Sequence, residues 1–221
     1  MAEPLALRVD EAMSVSALLD APENARALYV FAHGAGAGMA HRSMSDVASG
    51  LAARGIGSLR YQFGYMERGS KRPDPPKLAH AVVRAAVAEA QRFQLPLFAG
   101  GRSFGGRMTS QAQAIAPLAN VRGLIFLGFP LHPAGKPSIE RAEHLGDVHV
   151  PMLFLQGTRD ELASLDLLAP IVNALAPRAE LKLFEGADHS FHVQARSGRT
   201  DAQVREAMLD AMAAWIDAHS G

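Results

Sequence analysis

Short, almost uninterrupted apolar runs constrain the fold of this 221-residue chain more than any other feature. Four such runs occupy residues 27–33 (ALYVFAH), 96–101 (PLFAGG), 121–129 (VRGLIFLGF) and 151–157 (PMLFLQG). Each is short for a helix and ends at or beside glycine, which is typical of a strand that is covered on both faces. Strands of this kind occur in parallel sheets that carry helices on both sides, and we predict such a sheet here.

The remaining segments alternate between strand and helix patterns. Further strands are predicted at 56–63 and 179–186, and an antiparallel N-terminal hairpin at 5–9 and 13–19. Helical spacing marks 44–55, 77–93, 104–115, 162–176 and a last helix that begins at Thr200, with Gln203 completing a capping box. Gly and Pro make 64–76 a loop, and 130–150 is irregular. The alternation predicts a three-layer α/β/α sandwich around a mostly parallel sheet with an antiparallel N-terminal strand. No repeat or linker divides the chain, so residues 1–221 are predicted to form a single domain.

Composition narrows the function classes. Lys plus Arg and Asp plus Glu each number 22, so no excess of positive charge would attract nucleic acid or anionic lipid. The absence of cysteine excludes disulfides, thiolate metal sites and a cysteine nucleophile. The N-terminus is acidic and no apolar run approaches the ~18 residues of a membrane span. We therefore predict a cytoplasmic protein without a metal or cofactor, and interpret the basic group at Arg68, Lys71 and Arg72 as a solvated loop.

Polar residues follow the predicted strands at their carboxyl ends. HGAGAG (33–38) ends the first apolar run, Ser103 follows the strand at 96–101, Asp160 follows 151–157, and His189 follows 179–186. Because the carboxyl ends of parallel strands meet at one edge of a sheet, we expect the serine, the acid and the histidine to lie together.

Ser103 lies in GRSFG (101–105), which fits the pattern G-x-S-x-G at a strand-to-helix turn. A nucleophile at such a turn is held with a positive φ, and side chains two residues before and after it would collide with neighbouring backbone. Gly101 and Gly105 meet that need, and Gly106 allows the helix to approach the sheet. The helix start supplies backbone N–H groups and a positive dipole end to a developing oxyanion.

Other residues compete for the acid and base positions. His192 lies three residues beyond His189, but the DHSF loop fits the catalytic position better. Glu161 and Asp166 compete with Asp160, which directly follows the GTR turn, whereas Asp166 falls inside a predicted helix.

Simpler roles are favoured for several neighbouring residues. Asp188 adjoins His189 and is expected to stabilise a turn. His33 and His41 lack the spacing and acidic neighbours of a metal site, so a loop-stabilising hydrogen bond is favoured for His33. The glycine-rich segment lacks a nucleotide-binding pattern. In PLHPAGKP (130–137), either Lys136 or His132 would touch a substrate if this loop walls the site, although a rigid Pro-rich loop is favoured.

Four motifs together resemble those of α/β-hydrolases over nearly the whole chain. HGAGAG resembles the oxyanion loop, GRSFG the nucleophile elbow, GTRDE (157–161) the acid loop and GADHSF (186–191) the histidine loop. AHGAGAG, GGRSFGGRM and GFPLHPAGKP (128–137) further resemble a subgroup of small dienelactone-hydrolase-like proteins. That subgroup includes bacterial proteins and eukaryotic relatives of a regulatory subunit of the NSL histone acetyltransferase complex. Dienelactone hydrolases usually carry a cysteine nucleophile, so the serine here disfavours their particular substrate.

The resemblance implies a role for each site residue. Ser103 would be the nucleophile, His189 the general base and then acid, and Asp160 the carboxylate that orients the histidine. The backbone N–H groups of Phe104 and Ala35 would form the oxyanion hole. These roles predict a serine hydrolase of the carboxylesterase or acyl-hydrolase type, without a cofactor, that works through an acyl-enzyme.

Two functional hypotheses and an open site follow. The alternative to an enzyme is a non-catalytic interaction module on a hydrolase fold. The connection at 129–150 is too short for a folded cap, so we expect an open site for a small-molecule acyl substrate. The expected apolar rim consists of Tyr65, Met66, Phe104, Phe129 and Leu131. The bond type stays open between ester, thioester, amide and lactone, and the protein is expected to be a monomer or homodimer.

Overall fold

The computed structural model describes residues 2–221 and contains one eight-stranded sheet in the order β1-β2-β4-β3-β5-β6-β7-β8. The strands are β1 Glu3–Arg8, β2 Ser14–Asp20, β3 Ala27–Ala32, β4 Ile56–Tyr61, β5 Leu97–Arg102, β6 Val121–Leu127, β7 Met152–Gly157 and β8 Ala179–Phe184. The N-terminal hairpin is antiparallel and joins the sheet through β2, which pairs antiparallel with β4. All other neighbours are parallel, so the carboxyl ends of β3 to β8 lie at one edge, as predicted.

Helices cover both faces of this sheet. They are α1 Arg42–Ala52, α2 Gly64–Glu67, α3 Pro76–Ala90, α4 Phe104–Ile115, α5 Leu165–Ala174 and α6 Asp201–Ala218, with 3₁₀ turns at Gln91–Phe93, Glu140–Asp147 and Ala195–Ser197. One apolar core contains residues of α3, α4 and α5, and a second contains residues of α1 and α6. The predicted three-layer α/β/α arrangement is therefore confirmed.

The last helix shows how local sequence and packing cooperate. Thr200 and Gln203 form the predicted capping box, with Gln203 N–H donating to Thr200 Oγ1 at 3.2 Å and Thr200 N–H donating to Gln203 Oε1 at 2.9 Å. Trp215 then packs edge-on against Phe98 of β5, with ring centroids 5.8 Å apart. A Cβ on Gly123 would lie 2.5 Å from the Trp215 ring, so glycine at 123 makes room for the indole.

Two segments predicted to lack regular structure contain short helical turns. The 64–76 segment begins with α2, and the buried Asp74 carboxylate holds it by accepting the Tyr65 N–H at 2.8 Å and the Arg68 guanidinium at 2.5 Å. The irregular 130–150 segment contains the 3₁₀ turn Glu140–Asp147, which buries Ala142 and Leu145. The first turn is stabilised by a carboxylate at the end of its own segment and the second by burial of its apolar residues, and local Gly and Pro content reveals neither.

Within residues 2–221, none of the helices has both the length and the apolar character that crossing a membrane requires.

Candidate active site

Ser103, His189 and Asp160 form a chain of hydrogen bonds at the carboxyl edge of the sheet. The Ser103 hydroxyl lies 2.8 Å from His189 Nε2, and His189 Nδ1 lies 2.7 Å from Asp160 Oδ2. A carboxylate only accepts hydrogen bonds, so the neutral histidine carries its proton on Nδ1 and leaves Nε2 free to accept the serine proton. This is the arrangement in which a histidine increases the nucleophilicity of a serine.

The turn at Ser103 is strained in the way that the elbow pattern predicts. Ser103 has φ 48° and ψ −117°, directly between β5 and α4. A Cβ on Gly101 would lie 2.4 Å from Ala32 O, and a Cβ on Gly105 would lie 2.5 Å from His33 O. These glycines allow the turn to press against the end of β3, which brings the serine beside the loop that follows β3.

Asp160 is held by more partners than the sequence indicated. Its side chain has no exposed surface, and Oδ2 also accepts a 2.5 Å hydrogen bond from Gln156 Nε2 while Oδ1 accepts the Leu162 N–H at 2.8 Å. The side-chain oxygen of Gln156 accepts the Phe129 N–H at 2.9 Å. Gln156 was missed in the sequence, although a lone amide in the apolar strand MLFLQG was a usable signal, because a buried amide needs partners.

His189 occupies a loop that is shaped to expose it only partly. Its side chain is 23% exposed, so the ring is open to a ligand on one side. Gly128, with φ 69°, lies below the ring, and a Cβ there would be 3.3 Å from His189 Cε1. A side chain at 128 would press on the imidazole, so glycine at this position helps to set the ring's position.

The structure separates His189 from its neighbours His192 and Asp188. His192 is exposed and its Nδ1 lies 2.9 Å from Asp201 Oδ2, and this carboxylate raises the pKa of His192. Asp188 Oδ1 accepts the N–H groups of Ser190 and His192 at 2.7 and 3.0 Å, which is the predicted turn-stabilising role.

The loop after β3 lies beside Ser103 and leaves N–H groups available. A Cβ on Gly34 would lie 3.7 Å from the Ser103 Cβ. Neither Ala35 N–H nor Phe104 N–H has an acceptor within residues 2–221. Phe104 is also the first residue of α4, where the helix dipole favours negative charge. Both groups are thus free to donate to an anion near Ser103.

The neutral imidazole of His33 stabilises this loop. Its Nδ1 donates to Gly34 O at 2.8 Å, and its Nε2 accepts the Phe63 N–H at 3.0 Å. Burial lowers the pKa of His33, which keeps Nε2 available as an acceptor. The loop-stabilising role predicted for His33 is confirmed. His41 instead caps α1 through Ser43.

Comparison with known sequences identifies the family. The sequence profile of a family described as "Alpha/beta hydrolase domain" matches residues 25–217. The chain belongs to the α/β-hydrolase family. The narrower resemblance to relatives of the NSL-complex regulatory subunit stays a prediction.

Solved structures share the hydrolase fold across almost the whole chain. A dienelactone hydrolase from Anabaena variabilis superposes with a TM-score of 0.79 at 19% identity, covering 100% of this chain and 99% of that one. A serine hydrolase without a lid from Xanthomonas campestris gives 0.75 at 22% identity, with 97% and 94% covered. An esterase domain from Rhodothermus marinus gives 0.75 at 16% identity, with 100% of each chain covered. At these identities the similarity demonstrates the fold.

The predicted apolar rim of this hydrolase needs correction. Tyr65, Phe129 and Leu131 have no exposed surface, and Phe104 is only 9% exposed. Phe129 packs against Phe126 and Phe154, and the Tyr65 ring lies edge-on to Phe104, 6.3 Å between centroids. The packing of the loops onto the sheet draws these side chains into the core. Of the expected rim, only Met66 is partly exposed.

The cavity that opens beside His189 is polar rather than apolar. It has a volume of about 340 Å³, and its lining residues are Arg159, Glu161, Leu162, Asp188, His189, Ser190, His192 and Gln194. Glu161 thus reaches the site region without contacting His189, whereas Asp166 lies in α5. Lys136 is exposed, and His132 is buried, with its Nε2 accepting the Ser164 N–H at 3.1 Å. A substrate in this cavity would therefore meet charged side chains.

A group of partly buried basic residues packs around α4. His144 Nε2 is 2.7 Å from Ser110 Oγ of α4. Burial, reinforced by the charges of Arg107 and His80, lowers the pKa of His144 to about 4, and Asp147 opposes this only weakly. His144 is therefore neutral at pH 7 in the folded protein.

This lowered pKa predicts loss of stability in acid. A folded pKa of about 4 lies below the unfolded value of ~6.5, so protons bind the unfolded chain preferentially as the pH falls between these values. Because His144 is partly exposed, we expect a loss of roughly 2 kcal/mol from this residue between pH 7 and pH 4. Urea unfolding at several pH values measures it. His144→Gln should show a shallower loss than the wild type, and identical pH slopes would contradict the prediction.

Proposed function

We propose that this protein is a serine hydrolase that cleaves carboxylic esters or related acyl bonds of small molecules. The observation that carries the proposal is the pair of hydrogen bonds from Ser103 to His189 and from His189 to the buried Asp160. The free N–H groups of Ala35 and Phe104, in the loop and helix that adjoin the serine, would serve as the oxyanion site. The dienelactone hydrolase and the esterase domain that share its fold support this reaction class.

The first half-reaction follows from these positions. His189 Nε2 takes the Ser103 proton as Oγ forms a bond to the acyl carbon, and the carbonyl oxygen becomes an oxyanion. The Ala35 and Phe104 N–H groups would stabilise this charge, an interaction worth about 3–4 kcal/mol per donor where it has been measured. The tetrahedral intermediate then collapses, and the alcohol leaves with the proton from His189. An acyl-Ser103 ester remains.

The second half-reaction repeats these roles with water. His189 deprotonates a water molecule, which attacks the acyl carbon and expels Ser103 as its oxygen regains a proton. The products are a carboxylic acid and the free enzyme. Throughout, Asp160 keeps the Nδ1 proton in place and stabilises the imidazolium that forms.

A comparison of two histidine variants tests the assignment of the base. We expect His189→Gln to lower kcat/KM for p-nitrophenyl esters by about 10,000-fold or more, because no other group accepts the serine proton. His192→Gln removes an exposed histidine three residues away and should change kcat/KM less than about threefold. A series of acyl chain lengths measured with the wild type would also define the preferred acyl group. If the His192 variant were the inactive one, the assignment would be wrong.

A further inference from the structure

Arg102, the residue before the nucleophile, carries a charge that the proposed mechanism does not use. It is the last residue of β5. By the alternation of side chains along the strand, it lies on the same face of the sheet as Phe98, whereas Ala99 lies on the other face. Its Cγ would lie 3.8 Å from a Cβ on Gly34, in the loop that carries Ala35. The side chain therefore runs beside the oxyanion loop, next to Ser103.

No protein group neutralises this guanidinium. Within the described part of the chain, residues 2–221, Arg102 forms no ion pair, and its nitrogens donate no hydrogen bond. Burial lowers its pKa, while the charges of Asp188 and Asp160 act in the opposite direction from a distance. An arginine stays protonated in proteins, so the residue next to Ser103 carries a partly buried positive charge that has no ion-pair partner within residues 2–221.

The two carboxylates whose charges act on Arg102 form their hydrogen bonds with other groups. Asp160 accepts hydrogen bonds from His189, Gln156 and the Leu162 N–H. Asp188 Oδ1 accepts two backbone N–H groups of its own loop. Two other arginines with little exposed surface are paired, since Arg60 lies 2.7 Å from Asp20 and Arg54 binds Asp210 at 2.6 Å, whereas Arg107 of α4 forms no ion pair within residues 2–221 but does not adjoin Ser103 in the chain. A partly desolvated charge without a partner lowers stability, so the Arg102 guanidinium is suited to bind an anionic group from outside the chain.

We propose that Arg102 is a specificity-determining residue and that the substrate is an acyl ester with a carboxylate close to its scissile carbonyl. This inference rests on the proposed function and names its substrate class. A guanidinium binds a carboxylate through two parallel N–H···O hydrogen bonds, which gives both charge and orientation. The carboxylate would occupy the space between the oxyanion loop and the histidine loop, while the scissile carbonyl lies at Ser103.

Two matched pairs of esters test the inference on either side of the scissile bond. The acyl-side pair is mono-p-nitrophenyl glutarate and p-nitrophenyl valerate, which have acyl chains of equal length. The alcohol-side pair is 3-butyryloxybenzoate and phenyl butyrate. We expect the wild type to favour the anionic member of at least one pair by about tenfold or more in kcat/KM. Arg102→Gln should reduce that ratio at least about tenfold, Arg102→Lys should keep part of it, and added salt should weaken it in the wild type.

A second arginine serves as the matched control. Arg42 begins α1 after the oxyanion loop, and its side chain is 91% exposed. Arg42→Gln removes the same charge from an exposed position, so it should keep the wild-type ratio of kcat/KM between the anionic and the neutral ester. If Arg102→Gln lowered kcat/KM equally for the anionic and the neutral ester of each pair, the ratio would be unchanged. Arg102 would then have a merely structural role, and the inference would be overturned. A wild-type preference for the neutral ester in both pairs would overturn it as well.

The proposed function has its own readout in the same experiment. If the wild type hydrolyses the neutral esters and Ser103→Ala does not, the proposed hydrolase function is supported, whatever the ratio between anionic and neutral esters. If no ester of either pair is hydrolysed in a Ser103-dependent way, the proposed function fails, and the substrate class fails with it.

Discussion

Replacement of Ser103 with alanine is expected to lower kcat/KM for ester hydrolysis by about 10,000-fold or more. The hydroxyl is the only group of this turn that lies within hydrogen-bond distance of His189 Nε2, at 2.8 Å. Without it the carbonyl carbon has no nucleophile of the protein to react with, and no acyl-enzyme forms. Ester hydrolysis followed by p-nitrophenol release measures the loss.

The same substitution should leave the fold almost unchanged. Alanine keeps a Cβ, so it inherits the strained φ of 48° at this position, and only one partly exposed hydrogen bond is lost. We expect the free energy of unfolding to change by less than about 1 kcal/mol. A Ser103→Ala protein that unfolds much more easily would contradict this stability expectation, and one that hydrolyses esters at the wild-type rate would contradict the role of Ser103 as a nucleophile.

Replacement of Gly105 with alanine is expected to destabilise the protein by about 3 kcal/mol. Gly105 lies in the first turn of α4, where alanine would ordinarily stabilise a helix by up to about 1 kcal/mol. Here the new Cβ would lie 2.5 Å from His33 O and 2.7 Å from the Ala32 carbonyl carbon, both of them backbone atoms that cannot rotate away. Relief of the clash requires α4 and β3 to separate, which also displaces the oxyanion loop from Ser103.

Gly146 offers a matched control for this substitution. It lies in the 3₁₀ turn Glu140–Asp147, and a Cβ there would meet no heavy atom within 4 Å. Gly146→Ala should therefore change the free energy of unfolding, measured by urea titration, by less than about 1 kcal/mol. If Gly105→Ala proved as stable as the Gly146 variant, the close packing of the elbow on β3 would be wrong.

Much of this fold could be predicted from the sequence, because its elements follow local rules. The apolar runs of β3, β5, β6 and β7 reflect burial on both faces, and α4 begins directly after the elbow that its glycines predict. The capping box at Thr200 is equally local. Parallel topology then brings the ends of these strands to one edge, which is why the positions of Ser103, Asp160 and His189 were predictable.

Features that depend on contacts between distant segments were not readable in this way. Phe129 and Leu131 follow a strand and were expected at the rim, yet packing on Phe154 and its neighbours buries them. Gln156 connects Asp160 to the Phe129 N–H through contacts that no short motif encodes. Whether the charge of Arg102 has an ion-pair partner depends on where distant carboxylates lie, which the sequence does not show. The sequence therefore predicted the position of the candidate site better than the side chains that surround it.

Mass spectrometry of the protein after reaction with a fluorophosphonate probe tests the central claim most directly, because such probes form a stable bond with an activated serine. Native protein should gain the mass of one adduct, and peptide mapping should place it on Ser103. The Ser103→Ala protein and urea-unfolded protein should gain none. An unlabelled native protein beside labelled control hydrolases, or an adduct that persists in Ser103→Ala, would contradict the role assigned to Ser103.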